Sequence, residues 1–337
     1  MLYSTSAYTA TLRNGDSAFF LKKQLFASAL GAAGLIFCVV VDYHFWKHIS
    51  GALYVVSFIM CVFVLFAGNE SHGQSRWIEI AGINVQPSEI GKVAVIVAMA
   101  TVISKIPKQL RNMENLLKLF ALILPIFGVV AANNLSTALI IFGIAFIMAF
   151  VAYPGYKPFF IIVALGGLAA WMLMMLPGME YRFERIQVWK HPENFETGYQ
   201  TLQGLYAIGS GGLFGKGLGS SIQKTFVPEA RNDMIFSIIC EELGLFGAIC
   251  IIVLYILLIW RCLFVALNAR DMFGSFLVIG IMAHIALQVI MNIAVVTNTM
   301  PNTGVTLPFI SYGGTSLAIT ISEIGIVLSV SKGIQMK

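Results

Sequence analysis

A short charged stretch, "FVPEARND", ends at Asp233 and directly precedes an apolar run that begins "MIFSII". It places Glu229, Arg231 and Asp233 at alternating positions in a chain where charge is scarce. A carboxylate just before a helix accepts hydrogen bonds from backbone N–H groups, so helix capping alone would explain Asp233. Capping requires neither neighbour, however, and burial or an adjacent cation shifts the pKa of such a carboxyl group in either direction. The alternative is a site where Asp233 acts as a general base or binds a divalent cation.

A second charged pair lies in "QPSEIGK", where Glu89 and Lys92 are three positions apart at the start of an apolar run. On a helix this spacing puts both side chains on one face. One interpretation is a structural ion pair whose lysine reaches toward the membrane surface. The other is a lysine that faces an anionic ligand.

Other ionisable residues within apolar runs have simpler explanations. Glu241, Glu242 and Glu323 are expected to bond to neighbouring helices, and His284 is expected to be a buried imidazole with satisfied partners. Glu241 and Glu242 point about 100° apart on a helix, so they are not expected to act as a pair.

The glycine-rich stretch "AIGSGGLFGKGLGSS" is not a nucleotide-binding loop. Ser210 stands where a P-loop requires glycine, six positions before Lys216, and Gly217 stands where it requires Ser or Thr. The dinucleotide fingerprint does not fit either. The glycines therefore permit either tight turns or close approach to a ligand.

The composition shows which elements must position these residues. Of 337 residues, 58% are hydrophobic and 11% are charged, whereas a soluble domain has about 25% charged residues. The mean hydropathy of +0.85 is likewise that of a largely apolar chain. The sequence therefore predicts an all-α polytopic membrane protein. Nine apolar runs approach or exceed the roughly 20 residues that span a bilayer; they cover residues 24–41, 49–67, 90–104, 117–132, 135–153, 158–177, 234–260, 272–297 and 305–331.

The five cysteines argue against a disulfide framework or a cysteine metal site, because four of them lie within the apolar runs, Cys262 lies just after the run at 234–260, and none has paired spacing. We expect them to contribute to helix packing.

Most of the unusual polar, Gly and Pro residues fall on one side of the predicted membrane. The bias of Lys and Arg toward inner segments places residues 3–23 outside, together with the loops at 68–89, 133–136, 178–233 and 297–316. The longest of these, 178–233, combines aromatic and charged residues, so we expect it to be folded against the membrane surface.

Four ordered motifs together resemble the SEDS family of bacterial shape, division and sporulation proteins, represented by FtsW, RodA and SpoVE. They are "QPSEIGK", "GYQTLQGLYAIGSGGLFGKGLGSSIQK", "VPEARNDMIFSIICEELGLFG" and "MPNTGVTLPFISYGGTSL". The resemblance extends from about Leu2 to Lys332 and is closest to the FtsW and SpoVE branch.

This resemblance implies a ten-helix fold in a single transmembrane domain over residues 1–337. "LYSTSAYTA" matches the end of the family's first helix, so most of that helix is expected to be missing and about nine full helices to remain. A large extracytoplasmic loop, 178–233, is expected between a helix that ends near 177 and one that starts near 234.

The resemblance also implies an activity. Members polymerise lipid II, the undecaprenyl-pyrophosphate-linked disaccharide peptide, into glycan strands at the outer face of the bacterial cytoplasmic membrane. They work with a class B penicillin-binding protein and divisome proteins during division or sporulation; no nucleic acid is expected as a partner.

Residue by residue, Asp233 matches the family's essential aspartate, while Glu89 and Lys92 match its PSExxK motif. Arg231 and Asn232 replace the usual His-Thr, and Asn134 replaces a common Asp, which makes a catalytic role at that position doubtful. Joining two sugars requires a base and stabilisation of a departing pyrophosphate, so Asp233 is expected either to be the base or to bind Mg²⁺ or Mn²⁺. The expected substrate-binding residues are Glu89, Lys92, Arg231, Glu229, Ser311 and Gly313.

Two other functions remain open, a lipid II flippase and a non-catalytic scaffold that activates a partner synthase. A flippase requires a polar path deep in the membrane, whereas the motifs cluster on one face and favour a polymerase. For the partner, the helix at 270–298 with Gly274 and Gly280 is a candidate docking surface, although these glycines could instead serve packing within the protein.

Overall fold

The computed structural model describes residues 1–67, 69–71, 74–80, 83–106, 112–174 and 180–334. Parts of the predicted loops, residues 68, 72, 73, 81, 82, 178 and 179, lie outside the described residues. The helices are α1 (Leu2–Asn14), α2 (Phe19–Val40), α3 (His44–Ala67), α4 (Pro87–Lys105), α5 (Met113–Asn133), α6 (Leu135–Ala152), α7 (Lys157–Met174), α8 (Glu180–Lys190), α9 (Tyr199–Ser210), α10 (Ile235–Leu267), α11 (Met272–Val296) and α12 (Gly314–Ser331).

The apolar runs form the helices that the composition predicts. Within the described residues, eight helices are long and apolar enough to cross a membrane, namely α2 to α6 and α10 to α12. The ninth run forms α7, whose apolar part, Lys157–Leu168, is shorter than the others. Helices α2, α3 and α10 leave most of their side chains unburied, as lipid-facing helices do. The fold class is confirmed, and the chain is a multi-pass membrane protein.

The ends of two helices follow from local sequence. Helix α4 begins with Pro87 after the extended residue Gln86; proline suits this position because its missing N–H would be unpaired there anyway. Before α6, the side chain of Asn134 accepts a hydrogen bond from the N–H of Thr137 at 3.1 Å. Asn134 is therefore a helix cap, a structural role.

The last predicted run is helical over only part of its length. Residues 305–307 have no regular structure, turns and bends follow, and α12 begins at Gly314. Pro308 cannot donate a helical hydrogen bond, and Phe309 has a left-handed φ of 64°. These two residues keep the segment before α12 out of the helix.

A small antiparallel sheet, which the sequence did not predict, lies in the loop between α3 and α4. Its strands β1 (Asn69–Ser71), β2 (Gln74–Ile80) and β3 (Ile83–Val85) pair in chain order. The hydroxyl of Thr315 in α12 donates to the carbonyl of Asn84 at 2.6 Å. This hydrogen bond ties β3 to the start of the last helix.

The chain divides into two compact units. The first contains residues 1–21, 155–254 and 289–312, and the second contains 22–154, 255–288 and 313–337. The single domain over residues 1–337 stays a prediction.

In the second unit, the glycines of α11 pack inside the protein. A Cβ on Gly280 would lie 2.5 Å from a side-chain carbon of Ile96, and one on Gly274 would lie 3.0 Å from the ring of Tyr43. The packing alternative is therefore confirmed for these two glycines, and the idea that they form a docking surface is wrong.

The buried histidine of the second unit pairs with a glutamate. His284 Nδ1 lies 2.9 Å from Glu323 Oε2, and both residues are buried. His284 Nε2 has no hydrogen-bond partner among the described residues, so the expectation of a fully satisfied imidazole holds for only one ring nitrogen. Four of the five free cysteines are buried, which fits the expected role in helix packing, whereas Cys250 is exposed.

Candidate active site

Asp233 lies in a turn of the first unit, just before α10. The helix begins at Ile235, so the residue that directly precedes it is Met234. The N-cap position predicted for Asp233 is therefore off by one residue. The turn closes with hydrogen bonds from the N–H of Asn232 and of Met234 to the carbonyl of Glu229, at 2.9 and 3.4 Å.

The turn carries a strained residue. Glu229 has a φ of 55°, a left-handed conformation that costs a non-glycine residue about 1 kcal/mol. Its carboxylate accepts a short hydrogen bond from the side-chain amide of Asn232. Such strain persists where surrounding contacts impose it, and it occurs often at functional sites.

The carboxyl group of Asp233 is almost completely enclosed, with 9% of the residue exposed. Gln200 Nε2 donates to its Oδ1 at 3.4 Å, and a Cβ on Gly304 would lie 3.7 Å from its Oδ2. Burial, followed by the charge of Glu229, raises the pKa of Asp233 from 3.8 to about 7. A carboxyl group with this pKa exchanges a proton readily near neutral pH, as a general base must.

A buried amide holds the backbone at Asp233. Asn292 Nδ2, on α11, donates to the carbonyls of Asp233 and Val305, at 2.7 Å each. Asn292 is fully buried. The side chain of Asn292 thus hydrogen-bonds both the turn and the segment before α12.

Ser311 and Tyr312 add further hydrogen bonds to the turn. Ser311 Oγ donates to the carbonyl of Asn232 at 2.5 Å and accepts from the N–H of Leu307 at 2.8 Å. The N–H of Tyr312 donates to the carbonyl of Arg231 at 2.8 Å. The hydroxyl of Ser311 is thus engaged within the protein, and its contact with substrate stays a prediction.

Arg231 brings a positive charge to the same turn. Its guanidinium carbon lies 4.0 Å from the ring centroid of Phe20 and 6.0 Å from that of Tyr312. These are cation–π contacts that fix the guanidinium without neutralising it. Its buried Nε has no hydrogen-bond partner among the described residues, so the cation retains donor capacity for an anion.

The pKa of Asp233 leads to a pH prediction. The base must be ionised to accept a proton, so turnover should rise with pH, with a midpoint near the pKa of about 7. The Glu229→Gln variant removes the charge that raises this pKa, so its midpoint should move to lower pH. The measurement is kcat/KM between pH 5 and 9 for both proteins, with Glu193→Gln as the control for the loss of a carboxylate. Identical midpoints in the wild type and Glu229→Gln would contradict the prediction.

Glu89 and Lys92 lie in the second unit, in the first turns of α4. Lys92 Nζ lies 2.9 Å from Glu89 Oε1, and the two residues are 0% and 4% exposed. The predicted shared face and ion pair are confirmed, whereas a substrate contact stays a prediction.

Gly313, also in the second unit, directly precedes α12. Its N–H donates to Gln24 Oε1 at 3.3 Å. This contact positions the start of the helix, and the predicted role of Gly313 in substrate binding is untested. The structure thus groups Asp233, Glu229, Arg231 and Ser311 in the first unit, and Glu89, Lys92 and Gly313 in the second.

The glycine-rich segment, residues 211–217, packs closely against the backbone of α10. The N–H groups of Lys216 and Gly217 donate to the carbonyls of Glu241 and Glu242 at 2.9 and 3.0 Å. A Cβ on Gly215 would lie 2.2 Å from the carbonyl oxygen of Glu242. The sequence left two roles for these glycines, tight turns or close approach to a ligand. The structure shows close approach, but the glycines approach the backbone of α10 and not a ligand.

The segment meets α10 where that helix is kinked. Gly244 has φ 68° and ψ −169°, which is not helical. The N–H groups of the next two residues, Leu245 and Phe246, donate instead to the carbonyls of Gly212 and Leu213, at 2.9 and 3.1 Å. The segment therefore supplies the hydrogen bonds that the kink removes from the helix.

The side chain of Glu241 fastens the residues that follow the glycine-rich segment. Lys216 Nζ lies 2.7 Å from Glu241 Oε1, and the N–H groups of Ile222 and Gln223 donate to the carboxylate at 3.2 Å each. Ser221 donates a short hydrogen bond to the same group. The expectation that Glu241 would bond to a neighbouring membrane helix is therefore wrong, because its partners lie in the connection between α9 and α10, whose helical part is a short 3-10 turn at Gln223–Thr225.

Glu242 does bond to a helix, as expected. Ser4, on α1, donates a short hydrogen bond to Glu242 Oε1. Both glutamates thus have structural partners, which agrees with the prediction that they do not act as a catalytic pair.

Three residues around Asp233 were missed by sequence reasoning. Asn292 carried a usable signal, since an amide within a membrane-spanning helix is costly unless it has partners. Gln200 and Asn302 lie within the family motifs that begin "GYQ" and "MPN", but nothing in those motifs singled them out, because polar residues are ordinary outside the membrane.

The divalent cation remains a proposal. Among the described residues, no cluster of three His, Cys, Asp or Glu side chains could hold a metal ion. Mg²⁺ is often held by one or two carboxylates together with substrate phosphates, and Asp233 with Glu229 fits that pattern.

Comparisons with known proteins identify the family of this chain. A sequence model of the FtsW/RodA/SpoVE family, described as cell cycle proteins, matches residues 1–335. Stage V sporulation protein E of Bacillus subtilis is 38% identical, over 98% of this chain and 92% of its own length. The probable peptidoglycan glycosyltransferase FtsW of Trichlorobacter lovleyi is 37% identical, over 100% of this chain and 90% of its own.

Solved structures show the same fold. A chain of a peptidoglycan synthase complex that coordinates polymerization and crosslinking superposes with a TM-score of 0.82 at 25% identity, covering 99% of this chain and 96% of that chain. The rod shape determining protein RodA of Thermus thermophilus gives a TM-score of 0.72 at 24% identity, covering 99% and 95%. With its whole length matched in sequence and in fold, the chain belongs to the FtsW/RodA/SpoVE family.

Proposed function

We propose that this protein is a peptidoglycan glycosyltransferase that polymerises lipid II into glycan strands at the outer face of the bacterial cytoplasmic membrane. The observation that carries the proposal is the enclosed carboxyl group of Asp233, whose pKa is about 7, in a turn that also carries Arg231. Relatives over nearly the whole chain are named peptidoglycan glycosyltransferases, which supports it.

In the proposed reaction, Asp233 accepts the proton of the acceptor sugar hydroxyl. The oxygen of that hydroxyl forms a bond to the anomeric carbon of the donor, and the bond from this carbon to the lipid pyrophosphate breaks. Arg231 and Lys92 are proposed to stabilise the negative charge of the departing pyrophosphate. The proton is later released from Asp233 to water.

As the alternative to the role of Asp233 as the base, we propose that Mg²⁺ or Mn²⁺ is held by Asp233, with Glu229 as the second carboxylate. When bound, such a cation would neutralise charge on the pyrophosphate. Glu229, Ser311, Gly313 and Glu89 are proposed to bind or orient the substrate.

We further propose a class B penicillin-binding protein and divisome proteins as partners, in division or sporulation. The structural similarity to a chain of a peptidoglycan synthase complex supports a partner synthase.

The test uses purified protein in lipid vesicles, with lipid II, a divalent cation and the cognate class B penicillin-binding protein. Glycan strands whose synthesis requires this chain's Asp233 would support the proposal. Strands that form equally well with Asp233→Asn would favour the scaffold function.

The flippase function has one structural observation in its favour. Two charged pairs, Glu89 with Lys92 and His284 with Glu323, are buried in helices that can cross a membrane. Fluorescent lipid II that changes leaflet in vesicles of this protein, without glycan synthesis, would support a flippase.

Lys92→Met should impair lipid II use and also destabilise the protein. Removing the lysine leaves Glu89 buried without its counter-charge, which costs about 3–5 kcal/mol of unfolding free energy. The matched control is the double variant Glu89→Gln with Lys92→Met, which removes both charges and should recover most of the stability. Thermal unfolding and the dependence of turnover on lipid II concentration are the measurements. Full recovery of turnover in the double variant would assign the pair to structure alone.

A further inference from the structure

Two side-chain amides, linked by hydrogen bonds, lead to Asp233 within the first unit. Asn302 Nδ2 donates to Gln200 Oε1 at 3.2 Å, and Gln200 Nε2 donates to Asp233 Oδ1 at 3.4 Å. Asn302 lies in the segment before α12, and Gln200 lies in the first turn of α9.

A backbone N–H group determines which atom of each amide donates and which accepts in this series of hydrogen bonds. An amide side chain can present either its oxygen or its nitrogen to a neighbour, so its orientation depends on its partners. The N–H of Gly304 donates to Asn302 Oδ1 at 3.2 Å, and a backbone N–H can only donate. The Nδ2 of Asn302 must therefore point away from Gly304, toward the oxygen of Gln200. That contact in turn directs the Nε2 of Gln200 toward Asp233.

The two oxygens of Asp233 consequently have different surroundings. Oδ1 receives the hydrogen bond from Gln200, whereas Oδ2 faces Gly304, where a Cβ would lie 3.7 Å away. Because Gly304 has no side chain, no Cβ covers Oδ2 on that side. The backbone N–H groups of Asp233 and Met234 also hydrogen-bond the carboxylate, so the side of Oδ2 that faces Gly304 is the one we assign to the acceptor hydroxyl.

We propose that Gln200 and Asn302 are positioning residues, which fix the Asp233 carboxylate through Oδ1 and leave Oδ2 to accept the proton of the acceptor hydroxyl. The inference rests on the proposed glycosyltransferase function. Neither residue touches the reacting atoms. Asn302 acts through Gln200, and Gln200 acts through the orientation of the carboxylate.

The decisive variant is Asn302→Asp. It is nearly isosteric and still accepts from the N–H of Gly304, but it can no longer donate to Gln200. Gln200 should then rotate to donate to the new carboxylate and present its oxygen to Asp233. We expect kcat for lipid II polymerisation to fall about 10- to 100-fold, the size of loss found when a hydrogen bond that orients a metal ligand is removed, with KM and thermal unfolding unchanged.

Two further variants separate this mechanism from general effects. Thr299→Asp adds the same charge to the same exposed segment without a contact to Gln200, so its kcat should stay close to that of the wild type. Gln200→Leu should lower kcat, and combining it with Asn302→Asp should lower kcat no further, because Asn302 acts only through Gln200.

Wild-type kcat in Asn302→Asp, an equal loss in Thr299→Asp, or losses that multiply in the double variant would overturn the inference while leaving the proposed function in place. Absence of polymerisation by the wild type with its partner, or polymerisation that survives Asp233→Asn, would instead overturn the proposed function and the inference with it.

Discussion

Asp233→Asn is expected to abolish glycan synthesis while the protein stays folded and bound to its partner. The amide is nearly isosteric with the carboxyl group but cannot accept a proton, and loss of a general base costs about 10²–10⁴ in rate. Lipid II polymerisation by the purified variant with its partner is the measurement. Turnover within a few-fold of the wild type would show that Asp233 is not the base.

The same variant should be more stable than the wild type at alkaline pH. The pKa of Asp233 is raised in the folded state, from 3.8 to about 7, so folding favours the protonated form. The wild type therefore loses stability as the pH rises from about 4 through 7, and the uncharged Asn does not. The expected gain at pH 8 is roughly 1–4 kcal/mol. Thermal unfolding at pH 5 and 8 measures it, and a variant that is less stable at both values would indicate a structural role.

Gly244→Ala is expected to prevent correct folding of the region around the kink of α10. The residue has φ 68° and ψ −169°, a conformation that is essentially restricted to glycine. A Cβ there would also lie 2.3 Å from the nitrogen of Gly215 and 2.5 Å from the carbonyl oxygen of Leu213. Both are backbone atoms that cannot move independently, so we expect a loss of more than about 3 kcal/mol.

The yield of monodisperse protein after detergent extraction and the temperature of unfolding measure this effect. Gly209→Ala is the matched control, because it lies in the same glycine-rich stretch and a Cβ there would meet nothing within 4 Å. If both variants unfold at the wild-type temperature, the kink at Gly244 is not required for the fold.

The sequence predicted the membrane helices well because lipid imposes one simple requirement, a long apolar run with internally paired backbone groups. The pair of Glu89 and Lys92 was predictable for a similar reason, since three positions on a helix define a shared face. The small sheet at residues 69–85 was not predicted, because its short strands carry no regular alternation of apolar residues.

The candidate site was only partly predictable. The position of Asp233 beside Glu229 and Arg231 follows from adjacent residues, and the family motifs point to the same aspartate. The contacts of Asp233 with Gln200 and Asn292 join residues that are 33 and 59 positions away in the chain. Such contacts depend on the tertiary fold, and local sequence patterns do not predict them.

The kink in α10 has a consequence for how this protein is made. The N–H groups of Leu245 and Phe246 find their acceptors in Gly212 and Leu213, and lipid offers no substitute. The glycine-rich segment leaves the ribosome before α10 does, so the acceptors exist before the helix that needs them. We expect α10 to enter the bilayer as a straight helix and to bend only when the segment docks. Membrane insertion and bending of this helix would then be separate events in biogenesis.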